Sequence, residues 1–332
     1  MARIKLNPAD FVVEEVALYA PTGEGAFTLA RVRKEGVTTE EVARRWSRRL
    51  GIESSQVGFA GRKDRRSISD QWLSVPGWWP DLGDQVDDDG VEVLEVARSH
   101  HRLRPGDLEA NRFRVVIRDL APGEAAEAVE RLATLRNRGL VNRFGAQRFG
   151  KDARNAEAGR RVLEGELRQG SSRQRRFLVS AFQAELFNRF IERRPVPPHT
   201  LMLGDLAILH SNGRQRRIAD PIADQAFADR LELSPTGPIY GAKMRSPSGV
   251  PGQLERELWA EQALPEWTRP RLPRNLVPSG ARRPLRVPIE ELGYELHEEG
   301  LEVRFRLPPG SYATVLIDSL FDEPVQDGER DC

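Results

Sequence analysis

One short stretch combines a carboxylate with several cations, between a glycine-containing turn and an apolar strand. Asp64 lies between Lys63 and Arg65, and a second arginine follows. Neighbouring positive charge favours the ionised form of an acid, and an ionised aspartate needs no partner base before it attacks a carbon. The surplus positive charge suits the phosphates of a polyanionic substrate. The stretch therefore indicates either a nucleophile beside a phosphate-binding site or a solvated, ion-paired loop.

Two other chemistries fit the same stretch less well. Gly58, Gly61 and Lys63 are too closely spaced for the phosphate loop G-x-x-x-x-G-K-[ST]. Asp64 also stands where that loop needs a hydroxyl. A retaining glycosidase needs a second carboxylate about 5–5.5 Å from the first, and Asp70 is the only nearby candidate. Cleavage of a glycosidic bond by Asp64 is therefore the weakest alternative.

Six short motifs follow one another along the chain. They begin at Asn7 (NPADFVVEE), Gly58 (GFAGRKDRRSISDQ), Leu103 (LRPG, then NRF at 111–113), Asn142 (NRFGAQRFG), Ser180 (SA, then LFN at 186–188) and Leu307 (LPPGSYAT). In this order they resemble the TruD family of tRNA pseudouridine synthases, whose nucleophilic aspartate lies in a Lys-Asp pair within A-G-x-K-D-x-x-A-x-T-x-Q. The chain departs from that pattern at Ser67 and Ser69, where alanine and threonine are usual.

The resemblance implies a reaction and a set of site residues. Asp64 would act on a uridine of tRNA, at position 13, so that the base is detached, turned and rejoined to the same ribose through C5. The sequence leaves open whether Asp64 attacks C6 of the base or C1′ of the ribose. Since no atoms enter or leave, no cofactor is needed. The implied substrate-binding residues are Phe11, Lys63, Arg65, Asn142, Phe144 and Tyr312.

Phe144 has a specific reason to bind a base, and three other residues also have an ordinary structural interpretation. Phe144 precedes a glycine that admits close approach of a base, and its ring could stack on an extruded uracil for about 1–3 kcal/mol. Asn142 can donate and accept hydrogen bonds, but asparagine is also a common turn residue. Phe11 and Tyr312 could equally be aromatic residues of the core. For Phe11, Asn142 and Tyr312 both interpretations stay open.

The composition favours a soluble globular protein without a metal centre. Charged residues make up 30% of 332 positions, and no apolar run is long enough to span a membrane. Cys332 is the only cysteine and no two histidines form an H-x-x-x-H pair, so we expect no metal site and no internal disulfide. The first residues lead into patterned sequence without the apolar core of a signal peptide. We therefore expect a cytoplasmic protein. We also expect a monomer with no obligate protein partner.

The distribution of arginine indicates a nucleic-acid partner. All but five of the 51 basic residues are arginine, although the net charge is only +1. Arginine suits bidentate phosphate contacts, but a coding bias would give the same count. The stretch 160–194 is basic and the stretch 81–89 is acidic, which fits a directed RNA-binding face or a solvated helix flank. We expect tRNA as the partner, and a non-catalytic RNA-binding or tRNA-folding module is the alternative function.

Hydrophobic periodicity predicts the elements that position these residues. A capping box from Thr38 to Glu41 starts a helix that Gly51 ends, with Trp46 on its apolar face. The predicted strands cover 11–16, 27–33, 71–75, 91–96, 112–118 and 301–307, the predicted helices cover 38–50, 122–137 and 180–194, and a loop covers 169–174.

This order of elements predicts an α+β fold. Strands alternate with helices without a Rossmann G-x-G-x-x-G, so we expect a mixed, largely antiparallel sheet flanked by helices. The resemblance implies the same pseudouridine synthase-like core, with the active cleft across its sheet. We expect a catalytic domain made of residues 1–154 and 286–322, an inserted α/β domain of the TruD type over 155–285, and a polar tail over 323–332.

Overall fold

A computed structural model describes residues 1–150, 152–264 and 276–328. The chain divides into two compact units. The first unit comprises Met1–Leu132, Ile289–Ala313 and the residues from Ile317 on, and the second comprises Ala133–Pro288 with Thr314–Leu316. The last four residues of the predicted tail, 329–332, lie outside the described residues, and Cys332 is one of them.

The elements follow in chain order. The strands are β1 (Arg3–Ile4), β2 (Phe11–Ala17), β3 (Phe27–Lys34), β4 (Gly58–Phe59), β5 (Ile68–Pro76), β6 (Val91–Ser99), β7 (Leu108–Ile117), β8 (Leu140–Val141), β9 (Leu206–Leu209), β10 (Gln215–Arg217), β11 (Leu233–Ile239), β12 (Ala281–Pro284), β13 (Arg286–Val287), β14 (Glu290–His297), β15 (Gly300–Leu307) and β16 (Gln326–Asp327). The helices are α1 (Thr39–Leu50), α2 (Leu82–Val86), α3 (Glu124–Arg138), α4 (Asn155–Glu164), α5 (Ser172–Arg193), α6 (Pro221–Asp229), α7 (Gly249–Ala260) and α8 (Ala313–Asp318).

The first unit is built on one large sheet. Its strand order is β14-β15-β7-β2-β5-β3-β6, with β4 added beside β5. β2 and β5 run parallel, and the other neighbouring strands of this sheet run antiparallel. Helices α1, α2 and α3 lie between or after strands of this sheet in the sequence. The predicted α+β class with a mixed, largely antiparallel sheet is therefore confirmed.

Helix α1 covers one face of this sheet and begins where the sequence predicts. The Thr38 side chain accepts a hydrogen bond from Glu41 N at 3.2 Å, and Glu41 Oε2 accepts one from Thr38 N at 2.9 Å. Gly51 ends the helix in the left-handed conformation, at φ 65°. Trp46 is 1% exposed and packs with Leu73 of β5 in an apolar core. This core fixes the sheet region from which the Asp64 turn emerges.

The second unit has its own sheets and core. A four-stranded sheet has the order β10-β9-β11-β12, and β8 pairs with β13. Helices α4 and α5 pack so closely that a Cβ on Gly159 would lie 2.0 Å from the carbonyl oxygen of Leu178. A buried ion pair of 2.6 Å joins Arg194, just after α5, to Asp205. Helix α5 is the centre of this unit, and the hydrophobic side of its second half is buried.

Two details of the second unit differ from the prediction. Residues 169–174 were predicted as a loop, but α5 already begins at Ser172, because Ser171 and Gln174 form a capping box. The unit begins at residue 133, whereas the inserted domain was predicted to begin at 155. The reason lies in long-range pairing, since Val141 of β8 is the partner of Arg286 in β13.

Candidate active site

The turn that carries Asp64 joins β4 to β5 in the first unit. Gly58 precedes it at a close approach, because a Cβ there would lie 2.5 Å from the carbonyl oxygen of Leu103. The Asp64 side chain is exposed, and within the described part of the chain its carboxylate has no hydrogen bond and no ion pair. Its peptide carbonyl accepts hydrogen bonds from Lys34 Nζ at 2.8 Å and from Ser67 Oγ at 3.0 Å. The turn thus fixes the backbone and leaves the carboxylate accessible.

Arg65, a predicted substrate-binding residue, contacts α1 rather than Asp64. Its Nη2 lies 2.6 Å from Glu41 Oε1, and its side chain is 57% exposed. The hydrogen bond from Thr38 N holds the pKa of Glu41 below its ordinary value, and Arg65 acts in the same direction. Arg62 forms a similar exposed pair with Glu40 at 2.6 Å. The guanidinium of Arg65 is therefore anchored at the start of α1 and still faces solvent.

Lys63, the other predicted cation, lies beneath the turn and is 8% exposed. Its Nζ forms an ion pair of 3.2 Å with Glu15 of β2 and donates a hydrogen bond to Asn111 Oδ1 of β7. Its backbone N–H donates to Thr39 Oγ1 at 2.9 Å. Burial lowers the pKa of Lys63 and raises that of Glu15, and each partner's charge opposes the shift of the other. Lys63 thus contributes its charge from below the turn.

Lys34 is a residue of this site that the sequence analysis missed. It ends β3, is 1% exposed and donates through Nζ to the carbonyl oxygens of Val37 and Asp64, each at 2.8 Å. Burial lowers the pKa of Lys34 to about 8, while the charge of Asp64 opposes that shift. One signal was available in the sequence. Lysine is rare in this chain, with five among 51 basic residues, and two of the five are Lys34 and Lys63.

The two predicted aromatic residues of the first unit differ in burial. Phe11 begins β2 and is 5% exposed; its ring packs edge-on against Phe113 at 6.2 Å between centroids, and Lys5 Nζ lies 4.8 Å from its centroid. Tyr312 is half-buried in the turn after Gly310, just before α8. Phe11 therefore lies in the sheet core, whereas Tyr312 reaches the surface.

Asn142, in the second unit, is 3% exposed and joins two segments of chain. Its Nδ2 donates to the Pro284 carbonyl at 3.1 Å, and its Oδ1 accepts from Arg283 Nη2 at 2.5 Å. Arg283 Nε also donates to the carbonyl of Asn142 at 3.0 Å, and Asn142 N donates to Leu285 O at 2.8 Å. The amide of Asn142 therefore has a clear structural role, since it joins the end of β8 to β12.

Phe144 lies in the same cluster and is held by its backbone. Asn188 of α5 accepts from Phe144 N at 2.9 Å and donates to Phe144 O at 3.0 Å. The ring of Phe144 meets Phe187 edge-on at 5.6 Å, and the Arg283 guanidinium lies 4.1 Å from its centroid. Asn188 and Arg283 were not predicted as site residues. The side chain is half-buried and is positioned by groups from α5 and from the segment before β13.

The structure therefore forms two clusters from the predicted site residues. Asp64, Lys63 and Arg65 share one turn of the first unit, and Phe11 and Tyr312 belong to that unit. Asn142 and Phe144 are brought together in the second unit by Arg283. A nucleophile and a base-binding platform are the chemistries that these two clusters can offer.

The described residues contain one group of side chains with the spacing of metal ligands. Glu295, His297 and Glu302 lie within 4.8 Å of one another on β14 and β15. Glu302 is already bound by Arg114 at 2.9 Å, and Arg304 contacts both Glu295 and Glu302. This group is a surface ion-pair network. None of the described helices is both long and apolar enough to cross a bilayer.

The chain resembles known proteins in sequence and in fold. A family model described as tRNA pseudouridine synthase D (TruD) matches residues 1–172 and 167–320. The chain is 37% identical to the tRNA pseudouridine synthase D of a Thermus thermophilus strain, over 95% of this chain and 87% of that protein. It is 33% identical to the protein of that name from Geobacter metallireducens, over 95% and 93%. A crystal structure of a Methanosarcina mazei protein described as a putative tRNA pseudouridine synthase D shares the fold, with a TM-score of 0.73, 19% identity and coverage of 97% and 94%.

Proposed function

The chain belongs to the TruD family of tRNA pseudouridine synthases, and from this premise we propose that it isomerises uridine to pseudouridine in tRNA with Asp64 as the nucleophile. The substrate is the uridine at position 13. The bond between N1 and C1′ breaks, and a bond between C5 and C1′ of the same ribose forms. The proton of C5 is lost and N1 takes up a proton, so the product is an isomer and no cofactor is consumed.

The accessible carboxylate of Asp64 is the observation that carries this proposal. The carboxylate is exposed and, among the described residues, has no internal partner, while its peptide carbonyl is held by Lys34 and Ser67. A nucleophile needs this combination, because it must reach the substrate and must also be held in a near-attack position. A purely structural aspartate would pair with one of the adjacent arginines, which here pair with Glu40 and Glu41.

Two buried ammonium groups support the negative charge of Asp64 from inside the protein. The charge of Asp64 raises the pKa of both Lys34 and Lys63 against the lowering effect of burial, so both lie within its electrostatic reach. Lys63 is too deeply buried to contact a phosphate and serves as a fixed charge. Arg65, which faces solvent from the same turn, is the residue for the phosphate.

The second cluster supplies the binding of the extruded base. The ring of Phe144 stacks on the uracil, and the ring is fixed by Asn188 and Arg283. Asn142 holds Arg283 in place and contributes the polar edge of the pocket. Tyr312 and Phe11 are the aromatic substrate-binding residues of the first unit, with Phe11 acting from its buried position on β2.

Release of tritium from C5-labelled uridine in a tRNA transcript tests the proposal. The wild-type protein should release tritium and form pseudouridine, and Asp64→Ala should do neither. Asp89→Ala is the matched control, since Asp89 is an exposed acid of the acidic stretch 81–89. A transcript with cytidine at position 13 should give no release. Full activity of Asp64→Ala would remove Asp64 from the mechanism, and release from the cytidine-13 transcript would refute the position.

Product analysis separates this function from the alternatives. Pseudouridine in the RNA supports the isomerase, unchanged RNA that is bound in a salt-sensitive way supports the non-catalytic RNA-binding module, and free uracil supports a hydrolase. We also propose that the protein acts in the cytoplasm, as a monomer. A sedimentation measurement with and without tRNA would test the monomer, and a mass of two chains would contradict it.

A further inference from the structure

A buried lysine holds the peptide of the proposed nucleophile. Lys34 is 1% exposed at the end of β3, a strand that lies between β5 and β6. Its Nζ donates to Val37 O and to Asp64 O, each at 2.8 Å. No carboxylate in the described ranges lies within ion-pair distance of this ammonium. Within hydrogen-bond distance of Lys34 Nζ, the positive charge is therefore compensated only by the dipoles of these two carbonyl groups.

Such a placement is costly for stability and unnecessary for packing. A buried charge that lacks a direct counter-ion loses more free energy of hydration than backbone hydrogen bonds return. An apolar side chain of similar length would fill the same space. The ammonium group therefore serves something other than the core. Its two contacts indicate what that is, since one holds the loop before α1 at Val37 and the other holds the peptide of Asp64 itself.

Two donors fix the Asp64 carbonyl, and only one of them is charged. Ser67 Oγ donates to the same oxygen at 3.0 Å and lies 2.9 Å from Ser69 Oγ. A hydroxyl and an ammonium together hold this peptide from two directions, so the direction in which the Asp64 side chain leaves the turn is set. The two donors can be removed one at a time by mutation, which separates loss of a hydrogen bond from loss of charge.

Four charged groups act on Lys34 from the elements around it. Glu40 and Glu41 belong to α1, and Lys63 and Asp64 belong to the turn. Its partner residues in the neighbouring strands are uncharged, Ser69 in β5 and Val91 in β6. Burial is the largest cause of the lowered pKa of about 8, the three acids oppose it, and Lys63 adds to it. The ammonium form therefore predominates below pH 8 and is lost above it.

We propose that Lys34 is a positioning residue for Asp64, that it acts through the carbonyl oxygen of Asp64, and that only its protonated form supports the reaction. This inference rests on the proposed nucleophilic role of Asp64. When Lys34 loses its proton, the amine still reaches the two carbonyls, but one of the two positive charges beneath the turn disappears and only that of Lys63 is left. Asp64 then attacks from a less well held turn, in a less favourable field.

The test compares kcat and KM for a tRNA transcript between pH 6.5 and 9.5. Lys34→Met removes the charge and one donor, Ser67→Ala removes only the neutral donor, and Lys243→Met changes an exposed lysine of the second unit as a control. We expect Lys34→Met to lower kcat at least tenfold at pH 7 with KM changed less than threefold. Ser67→Ala should lower kcat less than fivefold, and Lys243→Met should match the wild type.

The pH profile separates positioning from a merely structural role. The wild-type kcat should fall as pH rises through about 8, and Lys34→Met should keep a low, nearly level kcat over the same range. Folding stability moves in the opposite direction. Because the pKa of Lys34 is lower in the folded than in the unfolded chain, the unfolded state binds more protons between pH 8 and 10.5, and this residue adds stability as pH rises there. A falling kcat is then not a sign of unfolding.

The outcomes are decisive whether or not every variant folds. Lys34→Arg keeps a positive charge at all tested pH values, and its kcat should not fall above pH 8. If Lys34→Met does not fold, the wild-type and Lys34→Arg profiles still decide, because a wild-type kcat that stays level from pH 7 to 9.5 overturns the inference. Wild-type behaviour of a folded Lys34→Met also overturns it. After either of these results, the activity of Asp64→Ala shows what has failed. If Asp64→Ala is inactive, only the inference about Lys34 fails, and if it is active, the proposed function fails as well.

Discussion

Asp64 and Asn142 are both assigned to the substrate site, yet their surroundings are opposite. The Asp64 carboxylate is exposed and without partners in the part of the chain that the structure describes, whereas Asn142 is 3% exposed and bound to Arg283 and Pro284 through its amide. The group that we propose as the nucleophile is thus left unpaired, whereas Asn142 is paired with the groups around it. Mutation of Asp64 should therefore change activity without changing stability, whereas mutation of Asn142 should lower both.

Asp64→Asn should give the largest effect, and it should be on activity alone. We expect kcat to fall at least about 1,000-fold, because the amide cannot act as a nucleophile. The free energy of unfolding should change by less than about 0.5 kcal/mol, since no internal contact of the carboxylate is lost. Urea unfolding and tritium release measure the two quantities. A large loss of stability would show that the carboxylate has a structural partner and would break the comparison.

Lys63→Met should give the largest loss of stability. It leaves Glu15 buried without its ion-pair partner, and we expect a loss of about 3–5 kcal/mol near neutral pH. Burial already raises the pKa of Glu15 above 4.5. In the variant, Glu15 takes up a proton at higher pH in the folded state than in the unfolded state. The loss of stability should therefore shrink as pH falls through the raised pKa of Glu15.

Urea unfolding at pH 7.5 and pH 5 measures that change. The double variant Lys63→Met/Glu15→Gln is the control, because it removes the uncompensated charge and should recover more than half of the lost stability. Equal stability of the two variants at pH 7.5 would mean that the Lys63–Glu15 pair does not bear the charge that the structure assigns to it.

Asn142→Ala should lower stability and activity together. The change leaves Pro284 O and the guanidinium of Arg283 without their contacts to the amide, at a cost of about 1–3 kcal/mol. Arg283 then positions Phe144 less well, and KM for tRNA should rise. Hydrogen exchange of α5 amides and steady-state kinetics measure both effects. Asn212→Ala, at an exposed turn of the second unit, is the control, and an equal effect there would refute the assigned role.

Arg65→Ala should change stability and activity only modestly. Its exposed pair with Glu41 is worth about 0–1 kcal/mol. If Arg65 binds phosphate, KM for tRNA should rise severalfold with kcat unchanged, and the difference should shrink in added salt. Arg62→Ala is the matched control, because Arg62 forms the same kind of exposed pair with Glu40. Equal KM values for the two variants would leave Arg65 as a helix anchor only.

Local patterns in the sequence were sufficient for the elements that lie near the site. The capping box at Thr38 and the left-handed Gly51 predicted α1 because both signals act within a few residues. The glycines before Asp64 and the apolar run after it placed Asp64 between a turn and a strand for the same reason. The mixed sheet followed from the alternation of its strands, and the order of the six motifs predicted the family.

Partners that come from distant parts of the chain were not predictable. Glu15 and Asn111 meet Lys63 only because they are register partners in β2 and β7. Arg65 was expected to act on Asp64, yet the better-placed acid is Glu41 at the start of α1. The burial of Lys34 depends on β3 lying between two other strands. Side-chain pairing of this kind depends on tertiary packing, which periodicity does not encode.

The position of β15 in the sheet has a consequence for biosynthesis. This strand pairs with β7, and Leu301 lies opposite Ile117, so the two partners are separated in the chain by the segment Ala133–Pro288 of the second unit. A nascent chain therefore exposes β7 as an open edge until translation has passed residue 307, and open edges invite pairing with other chains. Premature termination before β15 should yield a product that aggregates rather than a smaller enzyme.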